Sequence, residues 1–89
     1  MKYIVVAVFD AAAGAYARPA FLGSKGIAVR SFQDEVRRDA PDNQMHSHPS
    51  DFVLYFLGFY DDILGSFECG VPVILLRGSD CITGGSHVS

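Results

Sequence analysis

Long apolar runs alternate with polar segments along this chain, and the first run is YIVVAVF at residues 3–9. It consists of β-branched, aromatic and small residues and stops at Asp10. A short uninterrupted run of such residues is typical of a β-strand that is buried on both faces. We therefore expect a buried strand at these positions.

The next segment, residues 10–23, is rich in alanine but is not expected to form a regular element. Alanine favours helix, whereas Gly14 and Pro19 both interrupt one. We expect a loop in this segment, with Tyr16 and Phe21 packed against the rest of the domain.

A helix is predicted over residues 24–41. Ser24 is a residue type that caps helix N-termini, and Pro41 prevents the helix from continuing. Between them, apolar residues recur every four positions and give the helix one apolar face, formed by Ala28, Phe32 and Val36. The polar segment that follows, residues 41–51, is predicted to be a linker because it is rich in turn-forming residues.

The stretch FVLYFLGFY, residues 52–60, allows two interpretations. Its aromatic residues are spaced as on a helix, but nearly every position is apolar, so any period finds matches. Aromatic residues and valine favour strands, and Gly58 weakens a helix. We therefore expect a strand with two faces, one carrying Val53, Tyr55, Leu57 and Phe59 and the other carrying Phe52, Leu54, Phe56, Gly58 and Tyr60.

A return strand, SFEC at residues 66–69, and an apolar extension, GVPVILLRG at 70–78, complete the predicted sheet. Pro72 restricts the extension to a sheet edge or an irregular segment. Residues 79–89 are rich in Gly and Ser and are expected to form a flexible tail. The predicted order is β-α-β-β, an α+β domain at residues 1–78 in which one helix packs on a small antiparallel sheet.

The composition adds an expectation about assembly. Apolar residues make up 49% of the chain and the mean hydropathy is +0.22, which is more than a core of this size is able to hide. Small proteins commonly bury such excess apolar surface between copies, so we expect a homodimer or higher oligomer that extends the sheet. One face of the 52–60 strand then covers the helix, and the other packs on a second copy or presents rings to bases.

The formal net charge of −3 and the pI near 5.4 argue against a duplex-DNA binder, whose surface is usually basic. A local basic stripe stays compatible with them, because the placement of charge matters more than its sum. Helix cations could meet phosphates and strand rings could stack on bases. The alternative is a solvated helix face with internal ion pairs, and rings that belong to the core or to a dimer interface. The candidate residues for single-stranded DNA are Lys25, Arg30, Arg37, Arg38, Tyr55 and Phe59.

No nucleophile motif, Walker loop or dinucleotide-binding fingerprint occurs in the sequence, so we expect a protein that is not an enzyme and needs no cofactor. His46 and His48 stand at alternate positions and could contribute to a metal site, but surface histidines are the simpler interpretation. Cys69 and Cys81 lack metal-like spacing and are expected to be free thiols. The apolar run at 3–9 is too short to cross a membrane.

Several short motifs follow one another in a characteristic order over roughly residues 1–67. The first is an apolar strand that ends in Asp. Pro and Phe then precede a helix that contains Ala-x-Arg-x-Phe. After the helix come His-Pro-x-Asp-Phe, Leu-Tyr, a Gly, and paired acids before a further Gly. Their positions are Asp10, Pro19, Phe21, Ala28, Arg30, Phe32, His48, Pro49, Asp51, Phe52, Leu54, Tyr55, Gly58, Asp61, Asp62 and Gly65. In this order and spacing the chain resembles the small non-structural protein of gokushovirus-type microviruses, which are single-stranded DNA phages.

The resemblance implies a DNA-binding protein without catalytic residues that acts in the host cytoplasm, in viral DNA synthesis or in the switch toward packaging single strands. Its expected partners are single-stranded DNA, further copies of itself and phage replication or capsid proteins. The alternative is a non-enzymatic protein–protein interaction module that recruits or regulates replication or assembly factors, which the acidic balance favours. The sequence departs from the family pattern in YFLGF, where a charged residue is usual, and in VPVILLRG, and both departures indicate extra interface.

Overall fold

The chain forms one antiparallel sheet with helices, and the computed structural model describes its backbone over residues 1–86 and its side chains over residues 1–82. The α+β class and the antiparallel sheet predicted from the sequence are confirmed. Within residues 1–86, no helix is long and apolar enough to cross a membrane. The elements are β1 (Lys2–Asp10), β2 (Ala15–Tyr16), β3 (Ala20–Leu22), α1 (Lys25–Arg37), α2 (Gln44–Ser47), a 3-10 turn (Pro49–Asp51), β4 (Phe52–Asp61), β5 (Ser66–Arg77) and α3 (Gly78–Ser86).

β1 lies inside the sheet because it pairs on both sides. β4 runs antiparallel to it along its whole length, from Lys2 opposite Asp61 to Asp10 opposite Phe52. On the other side, β2 pairs with the end of β1 and β3 with its first half, so these two short strands form one interrupted edge. β5 pairs with β4 and forms the opposite edge, where Pro72 is tolerated.

A β-bulge at Gly58 interrupts the pairing of β1 with β4. The register shifts by one residue between Val5 and Val6, because β4 contains an extra residue next to Gly58. Gly58 has a φ of +149°, a conformation that residues with a side chain rarely adopt. A Cβ at this position would also overlap the backbone of Glu68 and Cys69. Both observations explain why glycine occupies the bulge.

The bulge corrects the predicted faces of β4. The strand itself is confirmed, and its side chains alternate as expected up to the bulge. Beyond it, Tyr60 lies on the same face as Tyr55, whereas Phe59 lies opposite Ile4 on the other face. Side chains of a strand alternate with a period of two, so a single inserted residue reverses every later position.

The hydrophobic core lies between the helices and one face of the sheet, which we call the helix face. The apolar stripe predicted for α1 is confirmed at all of its positions. Burial raises the pKa of the Cys81 thiol, and both Cys69 and Cys81 are free thiols, as predicted. The buried members of the core are Ile4, Val6, Ala28, Phe32, Val36, Leu54 and Cys81.

Both ends of α1 are closed by polar side chains. Ser24 Oγ accepts a hydrogen bond from Ile27 N at 3.2 Å and caps the helix start, as predicted. At the other end, the buried Asn43 side chain donates from Nδ2 to Glu35 O at 2.7 Å and to Arg38 O at 2.9 Å. The helix therefore ends earlier than the sequence predicts, because a side chain from the following segment satisfies its last carbonyls.

Two segments predicted to be irregular contain regular structure. β2 and β3 lie in the expected loop, and α2 with the 3-10 turn lies in the expected linker. These pieces have only two to four residues each, which is too short for a periodic signal. Pairing with β1 fixes the two strands, and packing against α1 fixes α2.

The segment expected to be a flexible tail from residue 79 onward forms α3 as far as Ser86, and residues 87–89 lie outside the described part of the chain. Its composition is poor for a helix, so tertiary packing decides the outcome. Cys81 is 1% exposed in the core. Arg37 Nε donates a hydrogen bond to Cys81 O at 3.2 Å, which ties α3 to α1.

Candidate nucleic-acid interface

The sheet face turned away from the helices, which we call the open face, follows from the register. Residues directly opposite in antiparallel strands lie on the same side of the sheet. The β1 residues that alternate with Ile4 and Val6 therefore define this face, and their partners extend it across the other strands. Its side chains are Tyr3, Val5, Ala7, Phe9, Tyr16, Phe21, Val53, Tyr55, Tyr60, Phe67, Cys69, Ile74 and Arg77.

Three rings of the open face form a first cluster, made of Phe9, Tyr16 and Tyr55. The ring centroids of Phe9 and Tyr16 lie 4.9 Å apart, and those of Tyr16 and Tyr55 lie 5.5 Å apart. Both pairs are edge-to-face, an arrangement that stabilises aromatic contacts. Tyr16 is still 45% exposed. The rings therefore support one another while presenting aromatic surface to solvent.

A second cluster consists of Phe21, Tyr60 and Phe67, from β3, β4 and β5. The centroid distances are 5.5 Å for Phe21–Tyr60 and 4.8 Å for Tyr60–Phe67. Phe21 is 45% and Phe67 is 59% exposed. Tyr16 pairs with Phe9 and Phe21 with Val5, so the two clusters are about 13 Å apart along β1.

Charged residues of the strands are divided unequally between the two faces. Asp10, Asp61 and Glu68 all occupy helix-face positions of the register. Arg77 is the one charged residue among the paired strand positions of the open face. Arg18 is exposed in the segment between β2 and β3. At its paired positions within the described strands, the open face thus combines aromatic rings with no carboxylate, which suits an anionic polymer.

The cations predicted to meet phosphates lie on or next to α1, across the sheet from the open face. Lys25 Nζ stands 4.4 Å from the centroid of the Phe56 ring on the helix face, a cation–π contact. Arg37 makes the hydrogen bond to the Cys81 carbonyl that holds α3. Both cations therefore have structural partners within the domain.

Arg38 and Arg30 complete the predicted set of cations. Arg38 donates to both carboxylate oxygens of Glu35, at 3.0 and 2.8 Å, and this contact lowers the pKa of Glu35. Arg30 is exposed and makes no ion pair or hydrogen bond with the side chains that the structure describes. The structure does not bring any of these cations together with Tyr55.

The two aromatic candidates are also separated. Tyr55 lies on the open face in the first ring cluster. Phe59 lies on the helix face, 38% exposed, with its centroid 5.4 Å from that of Phe56. Sequence reasoning missed the other cluster rings because their positions follow only from the strand register; these rings are Phe9, Tyr16, Phe21, Tyr60 and Phe67.

A cavity of about 300 Å³, lined mainly by polar residue types, lies where β1 ends and β4 begins. The two candidate histidines are not brought together there, because His46 Nδ1 lies 3.0 Å from Val36 O instead. Among the residues that the structure describes, no group of three or more potential ligands could hold a metal ion. Four residues that carry the family resemblance line this cavity, namely Asp10, His48, Asp51 and Phe52.

The fold defines a small α+β domain with helices on one side of an antiparallel sheet and exposed rings on the other. Residues 3–81 match the family described as Phage ORF5 protein, so the chain belongs to that family. Protein ORF5 of Chlamydia phage 1 is 32% identical over 59 residues, which are 63% of this chain and 62% of that relative, less than two thirds of its length. The chain is a small phage protein of the gokushovirus type, which confirms the resemblance in the sequence. No solved structure matches it.

Proposed function

We propose that this phage protein binds single-stranded DNA on the open face of the sheet, during synthesis or packaging of the viral genome. The observation that carries the proposal is the pair of exposed ring clusters on a face without paired carboxylates. Proteins that hold single strands without sequence preference stack bases on such rings, and each stacked base contributes roughly 1–3 kcal/mol. The action takes place in the host cytoplasm, with phage replication or capsid proteins as further partners.

The net charge of −3 is compatible with this proposal because of where the charges lie. The strand carboxylates are on the helix face, while Arg77 and the exposed Arg18 are the cations available near the rings. Two neutralised phosphates give a slope of about −1.4 for log affinity against log salt, since each contributes about −0.7 on single strands. If the phosphates instead lay along α1 and met about three of its cations, the slope would be near −2.

A matched pair of phenylalanines tests which face binds. Phe67 on the open face and Phe59 on the helix face are both exposed and both belong to the β4–β5 hairpin. Fluorescence anisotropy of a labelled oligothymidine at low salt should show Phe67→Ala weakening binding roughly 5- to 150-fold, with Phe59→Ala within twofold of wild type. Circular dichroism melts confirm that both variants are folded.

Two results would contradict the proposal. If wild-type protein does not bind the oligonucleotide even at low salt, the protein does not bind DNA. If Phe59→Ala weakens binding and Phe67→Ala does not, DNA lies on the helix face, whose cations are Lys2 of β1 together with Lys25, Arg30 and Arg38 on or next to α1.

A second candidate function is the non-enzymatic interaction module, and exposed aliphatic side chains favour it. Ile63, Leu64 and Val71 are 79%, 75% and 85% exposed. Such residues are common singly on surfaces, but adjacent ones often mark contact sites. Failure of DNA binding together with retained self-association would support this function instead.

A further inference from the structure

The turn between β4 and β5 presents two aliphatic side chains to solvent. Ile63 and Leu64, which we call the hairpin tip, are 79% and 75% exposed. Asp61 Oδ1 accepts hydrogen bonds from Ile63 N at 2.9 Å and from Leu64 N at 3.2 Å. Gly65, with φ +65°, completes the turn. The backbone is thus held in one conformation with both apolar side chains outward.

An apolar pocket of about 220 Å³ opens on the helix face between α1 and the β1–β3 side of the sheet. Its walls are almost wholly apolar, and only Ser31 and Glu35 contribute polar side chains. A cavity of about 150 Å³ is enough to hold a benzene molecule, so this pocket has room for an aliphatic side chain. The apolar walls include Val8, Ala20, Ala28, Phe32, Met45 and Leu54; we call this cavity the α1 pocket.

The hairpin tip is too far away to fill the α1 pocket of its own chain. The tip lies beside the start of β1, because the Met1 amino group pairs with Asp62 at 2.8 Å. The pocket includes Val8, which is six residues from Lys2 along an extended strand, about 20 Å. It also includes Ala20, on the edge of the sheet opposite β5. A tip therefore reaches such a pocket only on another molecule.

We propose that the hairpin tip of one copy inserts into the α1 pocket of a second copy. The two surfaces differ, so the contact is heterologous and repeats head to tail rather than closing as a symmetric pair. Charge does not oppose the contact. Arg38 neutralises Glu35, the charged residue in the pocket lining, and the Met1 amino group neutralises Asp62 beside the tip.

The contact leaves the open face free, because the α1 pocket lies on the helix face. Two aliphatic side chains give only weak association, since ordering the partners has its own cost. Copies bound side by side on one DNA strand are at high effective concentration, which turns a weak contact into cooperative binding. This last consequence rests on the proposed function, whereas the contact between copies does not.

A complementation experiment without DNA tests the contact. The tip variant Ile63→Ser/Leu64→Ser and the pocket-filling variant Ala20→Leu should each self-associate at least tenfold more weakly than wild type in sedimentation equilibrium. Mixed in equal amounts, they should form a 1:1 dimer that grows no further, because one intact tip and one intact pocket remain. Ala20→Ser, which leaves the pocket open, and Val71→Ser, at another exposed apolar position, are the controls and should behave as wild type.

The outcomes are distinct from those of the DNA test. Wild-type-like association of the tip variant, or a mixture that stays monomeric although circular dichroism shows both variants folded, overturns the head-to-tail contact. If Ala20→Leu does not fold, Ser31→Leu fills the pocket from the α1 side and serves in its place. A wild-type protein that is monomeric at every concentration and binds long oligothymidine without cooperativity also overturns it.

Discussion

The helix face and the open face of the sheet stabilise their aromatic rings in different ways. On the helix face, Phe32 of α1 is only 4% exposed and packs within a core that three helices complete. On the open face, rings contact one another across strands, and Tyr16 and Phe67 stay about half exposed.

The strand residues beneath the open-face rings are nevertheless protected from water. Val5 and Ala7 are each 3% exposed, although they lie on the side away from the core helices. Their cross-strand partners Phe21 and Tyr55 belong to the two ring clusters, whose edge-to-face contacts are favourable in themselves. The comparison shows that a sheet without a second layer on one side can bury its central strand and still expose aromatic surface to solvent.

The largest effect on this arrangement is expected from Gly58→Ala. The new Cβ overlaps the β5 backbone, so the bulge that sorts the β4 side chains between the faces cannot form. We expect loss of cooperative unfolding in circular dichroism melts. Gly65→Ala is the control, because Gly65 also has a positive φ but has nothing within 4 Å of the added Cβ; it should cost about 1–2 kcal/mol. Equal effects of the two substitutions would show that the bulge is not specifically required.

Removal of one ring from each face sharpens the comparison. Phe32→Ala leaves a cavity in the core and should lower the free energy of unfolding by about 3–5 kcal/mol. Phe67→Ala removes an exposed ring and should cost only about 0.5–1.5 kcal/mol, the contribution of an aromatic pair. Urea titrations measure both values. A loss of stability from Phe67→Ala as large as that from Phe32→Ala would mean that the open face is covered in solution.

Tyr55 separates structural from binding roles within the first ring cluster. Tyr55→Ala should weaken binding of oligothymidine by roughly 1–3 kcal/mol and leave the salt slope unchanged, because a stacking ring carries no charge. Tyr55→Phe keeps the ring and should bind as wild type. If Tyr55→Ala lowers only the melting temperature, this tyrosine is a structural residue and does not stack on bases.

Arg77→Ala and Arg30→Ala compare cations on the two sides of the sheet. Loss of one phosphate contact reduces the magnitude of the salt slope by about 0.7. We expect this change for Arg77→Ala and no change for Arg30→Ala or for the double variant Arg30→Ala/Arg37→Ala. Anisotropy titrations at several salt concentrations provide the slopes. The reverse pattern would place the phosphates along α1.

The smallest effect concerns the hairpin turn at low pH. Hydrogen bonds from Ile63 N and Leu64 N lower the pKa of Asp61 in the folded protein. A carboxyl group with a depressed folded pKa contributes stability above its unfolded pKa, and this contribution is lost as the pH falls through the folded pKa. Asp61→Asn keeps an acceptor without the charge, so its melting temperature should fall less than that of wild type between about pH 5 and pH 3. Identical profiles would show that the Asp61 charge does not stabilise the turn.

Local sequence signals predict the helices and strands that interactions within a single segment determine. Ser24 and the four-residue spacing of Ala28 and Phe32 identified α1, since a cap and an apolar stripe are properties of the helix itself. The residue types of 52–60 identified β4. Pro72 restricted the extension of β5 to an edge or an irregular segment, and the structure places it on an edge.

The remaining features depend on contacts between distant segments and were therefore missed. β2 and β3 exist because β1 offers them a pairing edge, and α3 exists because Cys81 packs in the core. In the sequence, Gly58 indicates only a weakened helix, whereas in the structure its bulge moves Phe59 and Tyr60 to the faces opposite to those expected. The sequence therefore identifies Tyr55 of the candidate site, but the other rings of the two clusters can be placed only with the strand register.

The central position of β1 has a consequence for synthesis of the protein on the ribosome. β1 is made before β4, and residues 11–51 separate the two strands. At 5–20 residues per second, the ribosome needs about 2–8 s to add that segment. During this interval β1 has only β2 and β3 as partners and keeps one edge unpaired, a state in which nascent chains aggregate. The early hairpin of β1 with β2 and β3 thus shields half of the strand until β4 arrives.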